Sequence, residues 1–212
     1  MEWYVGIPTL TAEHLDRCLG HVFGGSAKPE GIFVVNNGRN PYRHTHKKVQ
    51  VIHAPHNLGT SRSWNLIHDI VHPSPLLLLN DDVFLDEYAA EKALALKGLA
   101  VFIAGFSAFM LAEEVWEKVG RFDEAFWPAY FEDNDYAYRL KIAGIPEMHL
   151  KTDTGHVGSA SLGGPDKEAI KARYEQNRMY YAMKWGGEPG FEKYQRPFNG
   201  RYLDRSYPKY DF

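Results

Sequence analysis

The sequence predicts one α/β domain built on a mostly parallel central sheet with helices on both faces. Short apolar runs alternate with segments of helical periodicity through the first half, which is the pattern of βα units. The most apolar run, Leu76 to Leu79, is all leucine, as suits a strand covered on both faces. At 212 residues and 44% hydrophobic content the chain supplies one core, and two full domains would both be small.

Each element follows from its pattern. Residues 3–8 (WYVGIP) read as the first strand, and 11–23 (TAEHLDRCLGHVF) as a helix with Leu15, Leu19 and Val22 on one face, stopped by Gly24 and Gly25. Residues 31–38 (GIFVVNNG) are a second strand running into a turn, and 48–55 (KVQVIHAP) a third. In 59–72 (GTSRSWNLIHDIVH), Trp64, Ile67, His68 and Val71 recur at helical spacing, and 75–80 (PLLLLN) is the fourth strand. After a helix at 85–98 the pattern changes. Segments 99–105 and 106–112 are two strands that either pair with each other or join the sheet edge. Residues 112–120 and 131–144 are short helices, 145–151 a further strand, and 155–165 a Gly- and Ser-rich flexible loop. A long helix at 166–187 ends on two glycines, and an aromatic-rich tail, 186–212, is expected to pack on the domain or on a partner.

The composition excludes several classes. Basic and acidic side chains number 24 and 27 and the pI is about 6.4, so no basic footprint for nucleic acid exists. The single cysteine, Cys18, excludes an intramolecular disulfide and a cysteine-rich zinc site. The first residues lead straight into a strand without a secretory pattern, and no apolar run approaches the roughly 20 residues of a membrane span. The expectation is a cytoplasmic protein with no membrane span, with a second copy of itself as one partner to consider.

Polar residues gather where the strands end: Asn36 and Asn37, His56 and Asn57, then Asn80, Asp81 and Asp82. That edge of a parallel sheet is where ligands bind. The NDD group reads either as oxygen ligands for a hard divalent cation or as a turn whose side chains cap the backbone. Strand alternation would point Asn80 and Asp82 together and Asp81 away. Glu132, Asp133 and Asp135 open a helix, either as a capping cluster, the preferred role of Asp135, or with one carboxylate against the aromatic wall of Trp127, Tyr130 and Phe131. There its raised basicity suits proton transfer from an alcohol. Trp116 reads as core. His156, beside the Gly-rich loop, is either a structural residue or a further metal ligand. In HNLGTSRSWN, Asn57 and Gly59 precede a helix whose start can face a phosphate, with Arg62 a phosphate contact or a solvated charge.

Taken in order, GIPTL, VVNNG, HNLGTSRSWN, LLLLNDDV, the stretch from Gly105 to Gly144, and GHVGSAS resemble the family 2 glycosyltransferases of the GT-A fold. The NDD variant is most similar to their rhamnosyltransferase-like branch. The resemblance spans residues 4 to about 160 and implies a GT-A domain over 1–185. Residues 1–100 would bind the nucleotide sugar, and 101–185 would form the acceptor and catalytic half. It implies a UDP- or dTDP-linked sugar donor, Mn²⁺ or Mg²⁺ held by Asp82 and His156, and Asp133 as general base with Glu132 as the fallback. Pro8, Thr9, Asn36, Asn37, Asn57, Gly59, Arg62, Asn65, Asn80 and Asp81 would line the donor site. The acceptor would be a hydroxyl of a glycan, a protein or a lipid-linked molecule, and the reaction inverting. Asn36 and Asn80 stand where the family usually has Asp, which motivates an alternative: a non-catalytic sugar-nucleotide or glycan-binding module. Adjacent acids on a helix point about 100° apart, which argues against a glycosidase, whose carboxylates flank one bond at roughly 5 to 9.5 Å. No basic, Gly-rich phosphate loop follows the first strand, which argues against a nucleotidyltransferase.

Overall fold

The computed structural model describes residues 2–96, 100–158 and 167–201. Nine strands and six α-helices follow along these, with a 3-10 turn at Pro197–Gly200 after them: β1 (Tyr4–Thr9), α1 (Leu15–Gly24), β2 (Gly31–Asn36), β3 (Val49–His53), α2 (Gly59–Val71), β4 (Leu76–Leu79), β5 (Val83–Phe84), α3 (Ala89–Leu94), β6 (Ala100–Phe102), β7 (Ala108–Leu111), α4 (Glu113–Val119), α5 (Glu132–Ala143), β8 (Glu147–His149), β9 (Gly155–His156) and α6 (Lys167–Trp185). A seven-stranded sheet runs in the order β3-β2-β1-β4-β7-β6-β8. All of its strands are parallel except β7, which is antiparallel to β4 and to β6. The two segments after the fourth strand therefore pair with each other, but inside the sheet, because β8 adds beyond β6 and becomes the edge.

The leucine run shows why one strand needs four apolar residues. Leu77 and Leu79 pack with Val5, Ile7, α1 and α3 on one face, while Leu76 and Leu78 pack with Trp64, Ile67, Trp116 and Tyr136 on the other. Burying each such side chain contributes about 1.5–3 kcal/mol. Gly6 lets α2 lie close to the sheet, since a Cβ there would sit 2.9 Å from Ile67 and from Leu78.

Three expectations change. The predicted helix at 85–98 is helical only over Ala89–Leu94, and residues 97–99 lie outside the described residues. Part of the predicted flexible loop is the strand β9, which pairs with β5, while 159–165 lie outside the described residues, as does Asp166 of the predicted last helix. Asp135 does not cap α5. It is fully buried, accepting hydrogen bonds from Arg139 (2.8 Å) and the Trp185 indole (2.8 Å) and pairing with Lys184 (2.6 Å). A buried carboxylate is tolerated only when paired in this way, and here it ties α6 to α5. Trp116 is 5% exposed and lies in the core as expected. Residues 186–201 fold back on α5 and α6: Tyr138 of α5 donates to the Tyr194 carbonyl at 3.0 Å and Tyr181 of α6 to Glu192 at 2.6 Å. Residues 202–212 of the tail lie outside the described residues.

Candidate active site

Strands β1, β2 and β4 are parallel, so their C-terminal ends open on the same edge of the sheet, and a cleft of about 290 Å³ lies there. Pro8 and Thr9 reach it from β1, Asn37 from β2, and Asn80, Asp81 and Asp82 from β4. Asn57, Gly59 and Thr60 contribute from the start of α2, Phe106 and Ser107 from the β6–β7 turn, and residues 128–130, Glu132 and Asp133 from the opposite wall.

Alternation does not govern the acidic group, because β4 stops at Leu79 and residues 81–82 turn. Asn80, Asp81 and Asp82 all face the cleft, where alternation had pointed Asp81 away. Asp81 accepts a hydrogen bond from the Thr9 hydroxyl at 2.5 Å, and Asp82, 4% exposed, accepts one from the Gly158 amide at 2.9 Å. Asn80 donates to the Ser107 hydroxyl at 3.3 Å. Burial pushes Asp81 above the usual carboxylate range, and the charge of Asp82 adds to the rise. Two adjacent, shielded carboxylates repel each other, and a hard divalent cation relieves that repulsion. The donor set of carboxylate and amide oxygens fits Mg²⁺ or Mn²⁺.

The opposite wall is built on strain. Tyr130 and Phe131 both hold positive φ, 78° and 71°, just before α5. Such conformations cost on the order of 1–3 kcal/mol each and persist only where neighbours over-determine them. Asn177 of α6 does so, donating to the carbonyls of Ala129 (2.9 Å) and Tyr130 (3.1 Å). Across the cleft, Trp127 donates to the Asn57 carbonyl (2.9 Å) and Thr60 N–H to the Pro128 carbonyl (2.8 Å). The strained turn delivers Glu132 and Asp133 at the start of α5, where the helix dipole favours negative charge.

The two acids differ in setting. Glu132 is 7% exposed, its Oε2 has no hydrogen-bond partner among the described residues, and burial, then the charge of Asp133, lifts its pKa well above normal. Asp133 is half-buried, accepts the Asn134 amide at 2.8 Å, and is raised chiefly by burial. For an acid raised on folding, the native state holds its proton longer than the unfolded chain. Stability is then lost as pH climbs from the unfolded pKa to the folded one. Wild-type stability should fall more steeply above the ordinary glutamate range than that of Glu132→Gln. Parallel slopes in urea melts between pH 4 and 8 would show that Glu132 does not bury an ionisable proton.

Gly59 joins the two walls. Its φ is +78°, and a Cβ would lie 2.7 Å from the Pro128 carbonyl oxygen. Gly59→Ala should destabilise the fold by about 1–3 kcal/mol from backbone strain alone, read as a lower urea midpoint with unchanged slope.

No family model and no curated protein sequence matches this chain. Solved structures do. The mannosyltransferase PcManGT from Pyrobaculum calidifontis, in complex with GDP-Man and Mn²⁺, aligns with TM-score 0.59 at 12% identity, over 83% of this chain and 61% of that one. The catalytic domain of Drosophila beta1,4-galactosyltransferase 7, in complex with xylobiose, gives 0.55 at 15% identity, over 76% and 72%. S. aureus TarS gives 0.54 at 12%, over 74% and 36%. The chain adopts the GT-A fold. It spans less than two thirds of the mannosyltransferase and of TarS.

On this GT-A frame the residues singled out from the sequence divide. Pro8, Thr9, Asn37, Asn57, Gly59, Asn80, Asp81, Asp82, Glu132 and Asp133 share the cleft. Asn36, Arg62, Asn65 and His156 are not among its lining. Asn36 turns inward to its own loop, donating to the Asn40 carbonyl (2.8 Å) and accepting the Gly38 amide (2.9 Å). An amide suits that position because it must both donate and accept. Asn65 clamps Phe122 through its backbone carbonyl and amide, both at 2.9 Å. Arg62 is half-exposed and pairs with Glu124 at 3.6 Å. His156 is exposed on β9, opposite Val83; a Cβ at Gly158 would lie 3.3 Å from its ring, placing it beside the residue whose amide holds Asp82. Thr60, Phe106, Ser107 and the positioning residue Asn177 were not singled out from the sequence. Nothing local marks Thr60, Ser107 or Asn177, since each bonds to a partner far along the chain, and Phe106 reads as one more core aromatic beside Phe102 and Phe109.

No helix among the described residues is long and apolar enough to cross a membrane.

Proposed function

We propose that this chain is a metal-dependent, inverting glycosyltransferase of the family 2 type, moving a sugar from a nucleoside-diphosphate donor to an acceptor hydroxyl. The observation that carries the reading is the meeting of two acidic walls in one cleft of a GT-A fold: Asp81 and Asp82 at the sheet edge, and Glu132 and Asp133 across from them. In support, PcManGT was solved with GDP-Man and Mn²⁺, and TarS 1–349 with UDP.

In this reading Asp82, with Asp81 and Asn80 beside it, holds Mn²⁺ or Mg²⁺, and His156 completes the set from the β9 rim. The ion, when bound, neutralises charge on the departing diphosphate as a Lewis acid. Thr9 and Ser107 hold the orientation of Asp81 and Asn80. Asp133 accepts the proton of the acceptor hydroxyl as its oxygen attacks the anomeric carbon. The bond from that carbon to the diphosphate oxygen breaks on the opposite face, which inverts the centre. Half-burial keeps Asp133 basic yet reachable, whereas Glu132, more deeply buried, favours its protonated form and donates to a sugar hydroxyl. Phe106 and Tyr130 offer aromatic faces to the apolar sides of sugar rings.

The test is calorimetric titration of the purified chain with UDP, dTDP and GDP, each with Mn²⁺ and with chelator. Metal-dependent binding of one nucleotide is the expected result and selects the donor class. Absence of binding by all three would overturn the donor site.

A further inference from the structure

Among the described residues, a group of three His, Cys, Asp or Glu side chains with ligand atoms mutually within 4.8 Å occurs at His68, His72 and Glu113. None of the three lines the GT-A cleft. We propose that these residues form a second metal site, selective for a nitrogen-preferring divalent ion of the Zn²⁺ class, which joins the far end of α2 to α4.

The spacing is the first argument. His68 and His72 stand four residues apart, on the last turn of α2 and at the residue closing it, so both imidazoles project from the same side. A His pair at this spacing on a helix is a common way to chelate Zn²⁺, the third ligand coming from another element. Here that ligand is Glu113, the first residue of α4. The two imidazoles address different oxygens of its carboxylate: His68 Nε2 lies 3.3 Å from Oε2, and His72 Nδ1 lies 2.8 Å from Oε1. Three protein ligands with one side open to solvent match a four-coordinate ion that keeps a water. His72 is half-exposed and supplies the path of access.

The second argument is a hydrogen-bond deficit. His68 is almost enclosed, stacked on Trp116 with ring centroids 4.0 Å apart and planes 19° from parallel. With the proton on Nε2, directed at Glu113, Nδ1 is left buried without a partner. A metal on Nε2 reverses the tautomer and moves the proton to Nδ1. Asp69 Oδ1, itself held by Arg121 at 2.8 Å, lies 3.9 Å from Nδ1, and a small side-chain rotation would bring it within hydrogen-bond reach. A metal-bound imidazole whose other N–H faces a carboxylate is the usual outer-shell arrangement.

The third argument is ligand chemistry. Two imidazoles and a single carboxylate suit Zn²⁺, whereas Mg²⁺ and Ca²⁺ require oxygen shells. With two nitrogen ligands to one carboxylate, the site is chemically distinct from the cleft set, where the oxygens of Asp81, Asp82 and Asn80 predominate and His156 is the single proposed nitrogen ligand. Its effect is structural: an ion that binds only the folded chain stabilises it by mass action.

Metal-stripped full-length chain, in millimolar Mg²⁺ to occupy the oxygen-dominated cleft site, is titrated with Zn²⁺ by calorimetry, and its melting temperature is followed in parallel. One equivalent should bind and raise the melting temperature. His72→Ala, at a half-exposed position that keeps the fold, and Glu113→Gln should each weaken binding at least about tenfold, the scale on which even outer-shell changes act. The surface pair His44, half-buried, and His46, exposed, is the control, and the His44→Ala, His46→Ala double variant should bind as wild type. Absence of Zn²⁺ binding, unchanged affinity in His72→Ala, or loss of binding in the control variant would each overturn the assignment. The first would leave Glu113 as a plain acceptor for two imidazoles.

Discussion

Replacing Asp133 with Asn is expected to lower turnover by about 10²- to 10⁴-fold, the range for loss of a general base, while nucleotide binding stays near the wild-type level. The substitution keeps the shape of the side chain and an oxygen to accept the Asn134 amide, so the start of α5 is retained. Only the capacity to take a proton is lost. Asp133 suits the role because burial raises its pKa while its side chain stays open to the cleft. Glu132 is the comparison: with Oε2 buried and unpartnered, it is held toward its neutral form. Steady-state rates with a responsive acceptor decide the matter. Wild-type turnover in Asp133→Asn would remove it as the base, and a larger loss in Glu132→Gln would transfer the role to its neighbour.

The second large effect is expected at Asp82. Asp82→Asn should weaken metal-dependent donor binding by at least about 100-fold, since even changes behind the ligands cost 10- to 100-fold. Binding measured in chelator should barely change. Asn is preferred to Ala because it can still accept the Gly158 amide, which holds the segment after β9 against the site. A fall in affinity then reports the lost charge and not a displaced loop. The Asp81 carboxylate has one oxygen tied to Thr9, which leaves only its other oxygen for an ion and limits how far it can replace Asp82. Equal donor affinity in wild type and Asp82→Asn with Mn²⁺ present would refute the metal assignment.

The features legible in the sequence are those set by local periodicity. Alternating βα patterns, the helix faces of Leu15, Leu19 and Val22, and the all-leucine strand are properties of neighbouring residues, and the sheet and its two covered faces follow from them. The gathering of polar residues at strand ends was legible for the same reason, because parallel strands must end on one edge. What a given polar side chain does there was not. Asn36 and Asn37 are identical in type and adjacent. Asn36 bonds mainly within its own loop, with His53 of β3 beside it, while Asn37 donates to Ser63 and accepts from the Leu58 amide at the start of α2. Asn65 has the look of a ligand contact until Phe122 is found bonded to both ends of its amide. Placing β7 between β4 and β6, straining Tyr130 and Phe131 under Asn177, and bringing Glu113 to His68 and His72 likewise depend on residues distant in the chain. A buried polar group must find a partner wherever one is available. Local sequence therefore determined the layers and the edge that carries the site, and tertiary packing decided which side chains are consumed by structure and which remain for chemistry.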